Sequence, residues 1–162
     1  WRDNRLNMIH EGTHGIQALD LLGRKVVMQG GAGLTLLAAT VRRSIARALA
    51  EPALAAHASA LSSALQQLLD ATQAAWSTGQ PEEALANATP YLQGFGHVVL
   101  AWVWLDVALA ALASTGQPEG FVHGKLQACR YFFHYELPRI TAWLDVVARR
   151  DATCREMQDS WF

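Results

Sequence analysis

Between residues 54 and 76, Leu54, Ala58, Leu61, Leu65, Leu68, Thr72 and Trp76 follow one another at steps of four and three that alternate nearly strictly, with Ser62, Ser63, Gln66, Gln67, Asp70 and Gln73 between them. Only a helix brings positions at that spacing onto one face. A stripe this narrow suits a helix lying along the outside of a bundle. Residues 34–49 carry a second such face, Leu34, Leu37, Val41, Ile45 and Leu49. After Pro90 the pattern changes: Tyr91, Phe95, Val98, Trp102, Leu105, Leu109 and Leu112 form one stripe, but Leu92, Val99, Leu100, Val103, Trp104 and Val107 fill most of the other faces. A helix apolar all round belongs at the centre. Composition agrees, with 28 Ala and 22 Leu against 14 Val plus Ile. Ala and Leu lose least on entering a helix, whereas β-branched residues favour strands.

Two further apolar stripes, Val122, Leu126, Cys129 and Phe133, then Ile140, Trp143, Leu144 and Val147, predict helices over 121–136 and 140–150. Breaks are expected where glycine and proline gather: at Gly12 and Gly15, at Gly30, Gly31 and Gly33, at Pro52, and at Pro138. The hexapeptide Ser-Thr-Gly-Gln-Pro-Glu occurs twice, starting at Ser77 and at Ser114. Its neighbours do not repeat with it, so it reads as shared turn chemistry, a glycine ending one helix and a proline opening the next, rather than as a solenoid period. The expected fold is all-α, a bundle of five or six helices with an up-and-down four-helix-type core, formed mainly by residues 34–150. The chain beyond Asp151 is expected to be loosely held apart from Trp161 and Phe162.

The chain has 162 residues and a formal net charge of −1, with no basic or acidic block. A binder of nucleic acid working by phosphate neutralisation is therefore excluded, as is a polybasic membrane-surface protein. A membrane span is not expected either, because the apolar run after Pro90 is short and holds His97 and Asp106. Two cysteines, Cys129 and Cys154, make no disulfide framework, and with no signal-peptide pattern a cytoplasmic setting is the expectation. The chain opens at Trp1 without an initiator Met, which suggests a piece of a longer protein.

The chemically loaded stretch runs from His10 through Glu11, Gly12, Thr13, His14 and Gly15 to Lys25. His10, Glu11 and His14 formally match H-E-x-x-H, in which two His on one helix face hold zinc and the Glu is general base. That geometry needs an unbroken helix, yet Gly12 lies inside the motif and Gly15 follows it, each weakening a helix by about 1 kcal/mol relative to Ala. Thr13 after Gly12 looks like an N-cap, which starts the helix after the Glu, and no third ligand stands nearby. No metal site is therefore expected.

Taken whole, the stretch from Met8 to Lys25, with Glu11-Gly12-Thr13 followed by a helix beginning near Ile16-Gln17, resembles the segment near the C-terminus of acyl-CoA dehydrogenases. Its continuation through Leu22-Gly23-Arg24-Lys25, and Tyr91 to Gly96, Ala101 to Leu105 and Lys125 to Phe132 further on, are similar to the large-type members that carry an extra C-terminal helical domain. The resemblance implies that residues 1–28 end the dehydrogenase catalytic domain and 29–162 form the accessory bundle. It implies a flavoenzyme oxidising an acyl-CoA thioester to the 2,3-enoyl-CoA, with FAD as cofactor, electron-transfer flavoprotein or a similar acceptor, and homo-oligomeric assembly. Glu11 matches the catalytic base, Gly12 a position at the thioester substrate, and Thr13, His14 and Gly15 positions that touch FAD. His10 stands where Tyr is more usual and His14 where Asn or Ser is commoner. Without the flavin-binding part the 162 residues are expected to be inactive. The alternatives are a helical module for structure or oligomerisation and, less favoured, an H-E-x-x-H zinc hydrolase using His10, Glu11 and His14.

Other polar residues have plainer expectations. Asp106, on the most apolar helix, should pair with Lys125, Arg130 or a nearby His. His97, His123 and His134 read as satisfied core or surface side chains.

Overall fold

The computed structural model describes residues 13–162. They form seven α-helices: α1 (Thr13–Asp20), α2 (Met28–Leu49), α3 (Ala55–Ala75), α4 (Pro81–Leu85), α5 (Ala88–Ala113), α6 (Glu119–Tyr131) and α7 (Ile140–Ala148). There is no strand among the described residues, so the all-α expectation holds. The one addition to the expected set is α4, five residues opened by Pro81.

Side-chain pairs set the directions. Trp102 donates to the Ser44 hydroxyl and Arg47 pairs with Asp106, about one turn further along each helix, so α2 and α5 run parallel. Thr72, near the end of α3, bonds to Tyr91, near the start of α5, so α3 runs against both. After α6 the chain makes a π-turn (Phe132–Glu136) and a short 3₁₀ turn (Leu137–Arg139) into α7. His97 of α5 lies against Phe132 and Trp143, and Gly94 against Leu144, so α6, π-turn and α7 make one broken rod descending beside α5. The result is the expected up-down-up-down order.

The central place of α5 is also as expected. It packs against α1, α2, α3, α6 and α7. Its buried residues, Ala88, Tyr91, Gly94, Val98, Ala101, Leu105, Ala108 and Ala111, follow one another at steps of three or four. Most are small, which lets neighbouring helices come close. At Gly94 an added Cβ would sit 2.7 Å from Leu144 Cδ2, so here the absence of a side chain is required. The length expectation fails: α5 is long and apolar enough to cross a membrane by length and composition. Its buried stripe faces five neighbouring helices, while Leu100, Val103 and Leu112 on its other faces are exposed.

α3 is more interior than its narrow stripe suggests. Ala64, Ala71 and Ala75 are buried beside Leu61, Leu65 and Leu68, and the widened face meets α2, α5 and α7. Tyr91 is fully buried, and its hydroxyl lies 2.7 Å from that of Thr72. Thr72 already donates its one proton to the Leu68 carbonyl, so Tyr91 is the donor of the pair. Burial pushes the Tyr91 phenol up to about 12, the bond to Thr72 offsetting part of the rise.

The glycine breaks appear in altered form. Gln29, Gly30 and Gly31 all have positive φ and kink the start of α2. In both hexapeptide copies the glycine is left-handed, Gly79 at φ 69° and Gly116 at φ 85°. Pro81 then opens α4, and Pro118 caps α6 with its carbonyl accepting from Phe121 and Val122.

Three expectations are corrected. Asp106 pairs with Arg47 of α2 at 2.6 Å, not with Lys125, Arg130 or a His, because it faces the α2 side of α5. The helix expected over 121–136 is α6 plus the π-turn. The exception made for Trp161 and Phe162 in the chain beyond Asp151 fails: both are exposed, as is every residue from Thr153 on, with the Asp151 carbonyl accepting from Asn87 and Arg155 approaching Glu83.

Candidate functional site

Glu11, Gly12 and His10 lie outside the described residues, so the base, the substrate contact and the first zinc-ligand candidate have no geometry here. Thr13, His14 and Gly15 form the first described turn of α1. Thr13 is half-buried and the next four residues are exposed. Among the described residues no group of three or more His, Cys, Asp or Glu could hold a metal ion.

α1 is short, and eight isolated residues would not hold a helix in water. Its position comes from one face. Ala18 and, beyond it, Leu22 and Val26 are buried and join the same core as α3 and α5. The stretch predicted as the tail of another domain therefore shares the bundle's core. A π-turn (Leu21–Lys25) continues α1, and the indole of Trp76 donates to the Leu22 carbonyl at 3.2 Å. Gly23 lies under Leu85, where an added Cβ would be 3.2 Å from Leu85 Cδ2. Arg24 pairs with Asp20 one turn back, and that hydrogen bond holds the Asp20 carboxyl below its ordinary range. Neither Trp76 nor Gly23 stands out in the sequence as a support of this helix. A tryptophan ending a helical stripe was the available signal.

The opposite face is open. Ile16 is 66% and Leu19 48% exposed, and an added Cβ at Gly15 would meet nothing within 4 Å. The first turn carries no acidic residue. The first N–H groups of any helix lack intrahelical partners and bear the positive end of its dipole. Thr13, His14 and Gly15 thus open a helix fixed from behind, uncrowded at Gly15 and with no acidic residue inside its own first turn. Such a turn suits an anionic group.

The family described as "Acetyl-CoA dehydrogenase C-terminal like" matches residues 37–158. Relatives in three bacteria extend the likeness. The broad-specificity linear acyl-CoA dehydrogenase FadE5 of Mycobacterium tuberculosis is 26% identical over 176 aligned residues, covering 99% of this chain and 28% of that protein. The 3-methylmercaptopropionyl-CoA dehydrogenase of Ruegeria pomeroyi is 32% identical over 155, covering 88% of this chain and 25% of the relative. The butyryl-CoA dehydrogenase of Syntrophomonas wolfei is 26% identical over 170, covering 99% and 28%. The chain thus spans about a quarter of the length of these relatives.

Proposed function

This chain belongs to the acetyl-CoA dehydrogenase C-terminal-like family, and from that premise we propose that it is the C-terminal part of a flavin-dependent acyl-CoA dehydrogenase with Glu11 as its base. Residues 1–28 would then end the catalytic domain while packing into the bundle's core through Ala18, Leu22 and Val26, and residues 29–162 would be the accessory bundle. The observation that carries the reading is the first turn of α1: an exposed helix start, anchored by Ala18, Leu22 and Val26, directly follows Glu11 and Gly12 in the chain.

Glu11 takes the α-proton of the acyl-CoA thioester as its carboxylate, and exclusion of water around it would raise its pKa toward the working range. Gly12, having no Cβ, leaves room for the thioester beside the backbone. Thr13, His14 and Gly15 would hold the anionic cofactor through helix-start N–H groups. The chemistry that FAD would supply there is that of a hydride acceptor for the β-hydrogen, with electron-transfer flavoprotein or a similar protein as the proposed electron-accepting partner. The bundle's part is mechanical, keeping α1 where its first turn meets the cofactor. The parent is proposed to be a cytoplasmic homo-oligomer without a membrane span, and the 162 residues alone to be inactive.

The test is Glu11→Gln in the parent enzyme. Removing a general base slows the chemical step by about 10²–10⁴-fold. Bleaching of the flavin band by acyl-CoA under anaerobic conditions should slow by that factor while the flavin stays bound. Bleaching at an unchanged rate would sink the assignment.

A further inference from the structure

On the far side of α5 from α2, the outer face of α6 continues into the π-turn, and there Gln127, Arg130, Tyr131, His134 and Tyr135 line a recess of about 240 Å³. Nothing in the dehydrogenase reading uses it. Tyr131 and Tyr135 are stacked, ring centroids 4.9 Å apart at 16°, yet are 54% and 65% exposed. Large aromatic rings held together in water rather than in the core are an unspent stacking surface.

The charges beside them are also unmatched. Arg24, Arg47, Arg139, Arg149, Arg150 and Arg155 each have a carboxylate within 4.0 Å. Arg42, Arg43, Arg130 and His134 have none among the described residues, and of these Arg130 and His134 stand one turn apart beside the stacked tyrosines. Their field reaches His57, stacked on Phe133 at 4.7 Å and edge-on to His134 at 6.0 Å. His57 is held below the ordinary histidine range by burial first and then by His134 and Arg130. Winding changes at the same place: Tyr131 closes α6, whereas His134 and Tyr135 lie in the π-turn. Single-turn π segments concentrate at functional sites.

We propose that this recess binds a nucleotide, its phosphate on Arg130 and His134 and its base stacked on the Tyr131–Tyr135 pair. A planar, forked guanidinium beside an imidazole suits a phosphate, which a guanidinium grips through two parallel N–H donors. Any nucleobase has a π-face, so the tyrosines select for a base without selecting which one. Gln127 is left to reach base or ribose edges. A volume below the roughly 300–1,000 Å³ of drug-sized pockets fits one base and its phosphate rather than a peptide segment. None of its residues belongs to the first turn of α1.

The experiment is a titration of the chain at constant ionic strength with adenosine 5′-monophosphate, ribose 5-phosphate and adenosine, followed by the side-chain chemical shifts of Tyr131, Tyr135 and Arg130. The monophosphate should saturate with a Kd of about 1 mM or tighter. Loss of base stacking should make ribose 5-phosphate roughly tenfold weaker. Arg130→Gln with His134→Gln should weaken both phosphates by about tenfold. Tyr131→Ala with Tyr135→Ala should bring the monophosphate down to ribose 5-phosphate and leave the latter unchanged. All four side chains are exposed, and an unchanged far-ultraviolet spectrum verifies that each variant is folded. Absence of saturable shifts up to about 10 mM, adenosine binding as tightly as its monophosphate, shifts reproduced by sulfate, or either double variant binding like the parent chain would overturn the site.

Discussion

Gly94 and Gly15 are both helical glycines, and their surroundings are opposite. An added Cβ at Gly94 would press to 2.7 Å from Leu144, whereas at Gly15 it would meet nothing within 4 Å. The first glycine is explained inside the bundle: α5 and the α7 rod approach too closely for a side chain. The second is not required by any packing among the described residues, and glycine weakens a helix relative to alanine. Gly96, Gly120 and Gly124 are equally uncrowded, so openness by itself does not distinguish Gly15. The same split runs through α1 as a whole, with Ala18 and, just after it, Leu22 at 0% exposure on one side and Ile16 and Leu19 in the open on the other. One face is fixed by cohesion with α5; the other is a surface held in place.

That contrast is broken most directly at Leu22 and Leu19. Leu22→Ala removes a wholly buried side chain and leaves a cavity, so denaturant unfolding should lose about 2–5 kcal/mol. Leu19→Ala, on the open face, should stay within about 0.5 kcal/mol of the parent chain. Equal losses would mean that both faces are packed. Gly94→Val is the next largest effect. Its branched side chain must displace Leu144 from a closely packed contact, a destabilisation of about 1–3 kcal/mol that thermal unfolding would read as a lowered Tm.

The legible part of the fold was the part in which spacing alone decides the answer. The stripe from Leu54 to Trp76 and the all-round apolar segment after Pro90 place α3 and α5, because burial period and helix period coincide. The two Gly-Gln-Pro turns were legible because a left-handed glycine followed by proline has few other uses. What escaped depends on which helix faces which. Asp106 finds Arg47, some 59 positions away, through the parallel register of α2 and α5, and no local pattern carries that register. The alanines that widen α3's buried face look neutral in sequence and become core only through their neighbours. The π-turns, each one residue of extra winding, leave the apolar periodicity almost unchanged. At the site, the identity and order of Glu11 to Gly15 were legible, while Trp76 and Gly23, which fix the helix, act through contacts distant in sequence.

A gentler probe separates the core from its rim. His57 sits half-buried at the start of α3, stacked on Phe133 beside His134 and Arg130, and its pKa is lowered from 6.5 by burial and then by those two groups. The unfolded chain therefore binds a proton at His57 more readily than the folded one does. Stability should fall as pH drops below about 6.5 and level off once pH passes below the lowered folded value. In His57→Gln that acid-side slope should flatten, measured by urea midpoints between pH 5 and 8. An unchanged slope would assign it to other groups.

The smallest change in stability tests the open face. Gly15→Ala has free space for its methyl and adds a better helix former, so unfolding should show a gain of up to about 1 kcal/mol, less if the first turn frays. Gly124→Ala is the control: Gly124 lies within α6, and a Cβ there also meets nothing within 4 Å, so a similar gain is expected. The two substitutions are alike to the bundle and differ only in what approaches them from outside. In the parent enzyme Gly15→Ala should weaken flavin retention, read from the flavin-to-protein absorbance ratio after dialysis, whereas Gly124→Ala should leave it untouched. If both retain flavin equally, Gly15 makes no close contact with the cofactor, and the openness of that face needs another occupant. If both lose stability instead of gaining it, the faces are covered in solution, and the contrast between Gly15 and Gly94 disappears.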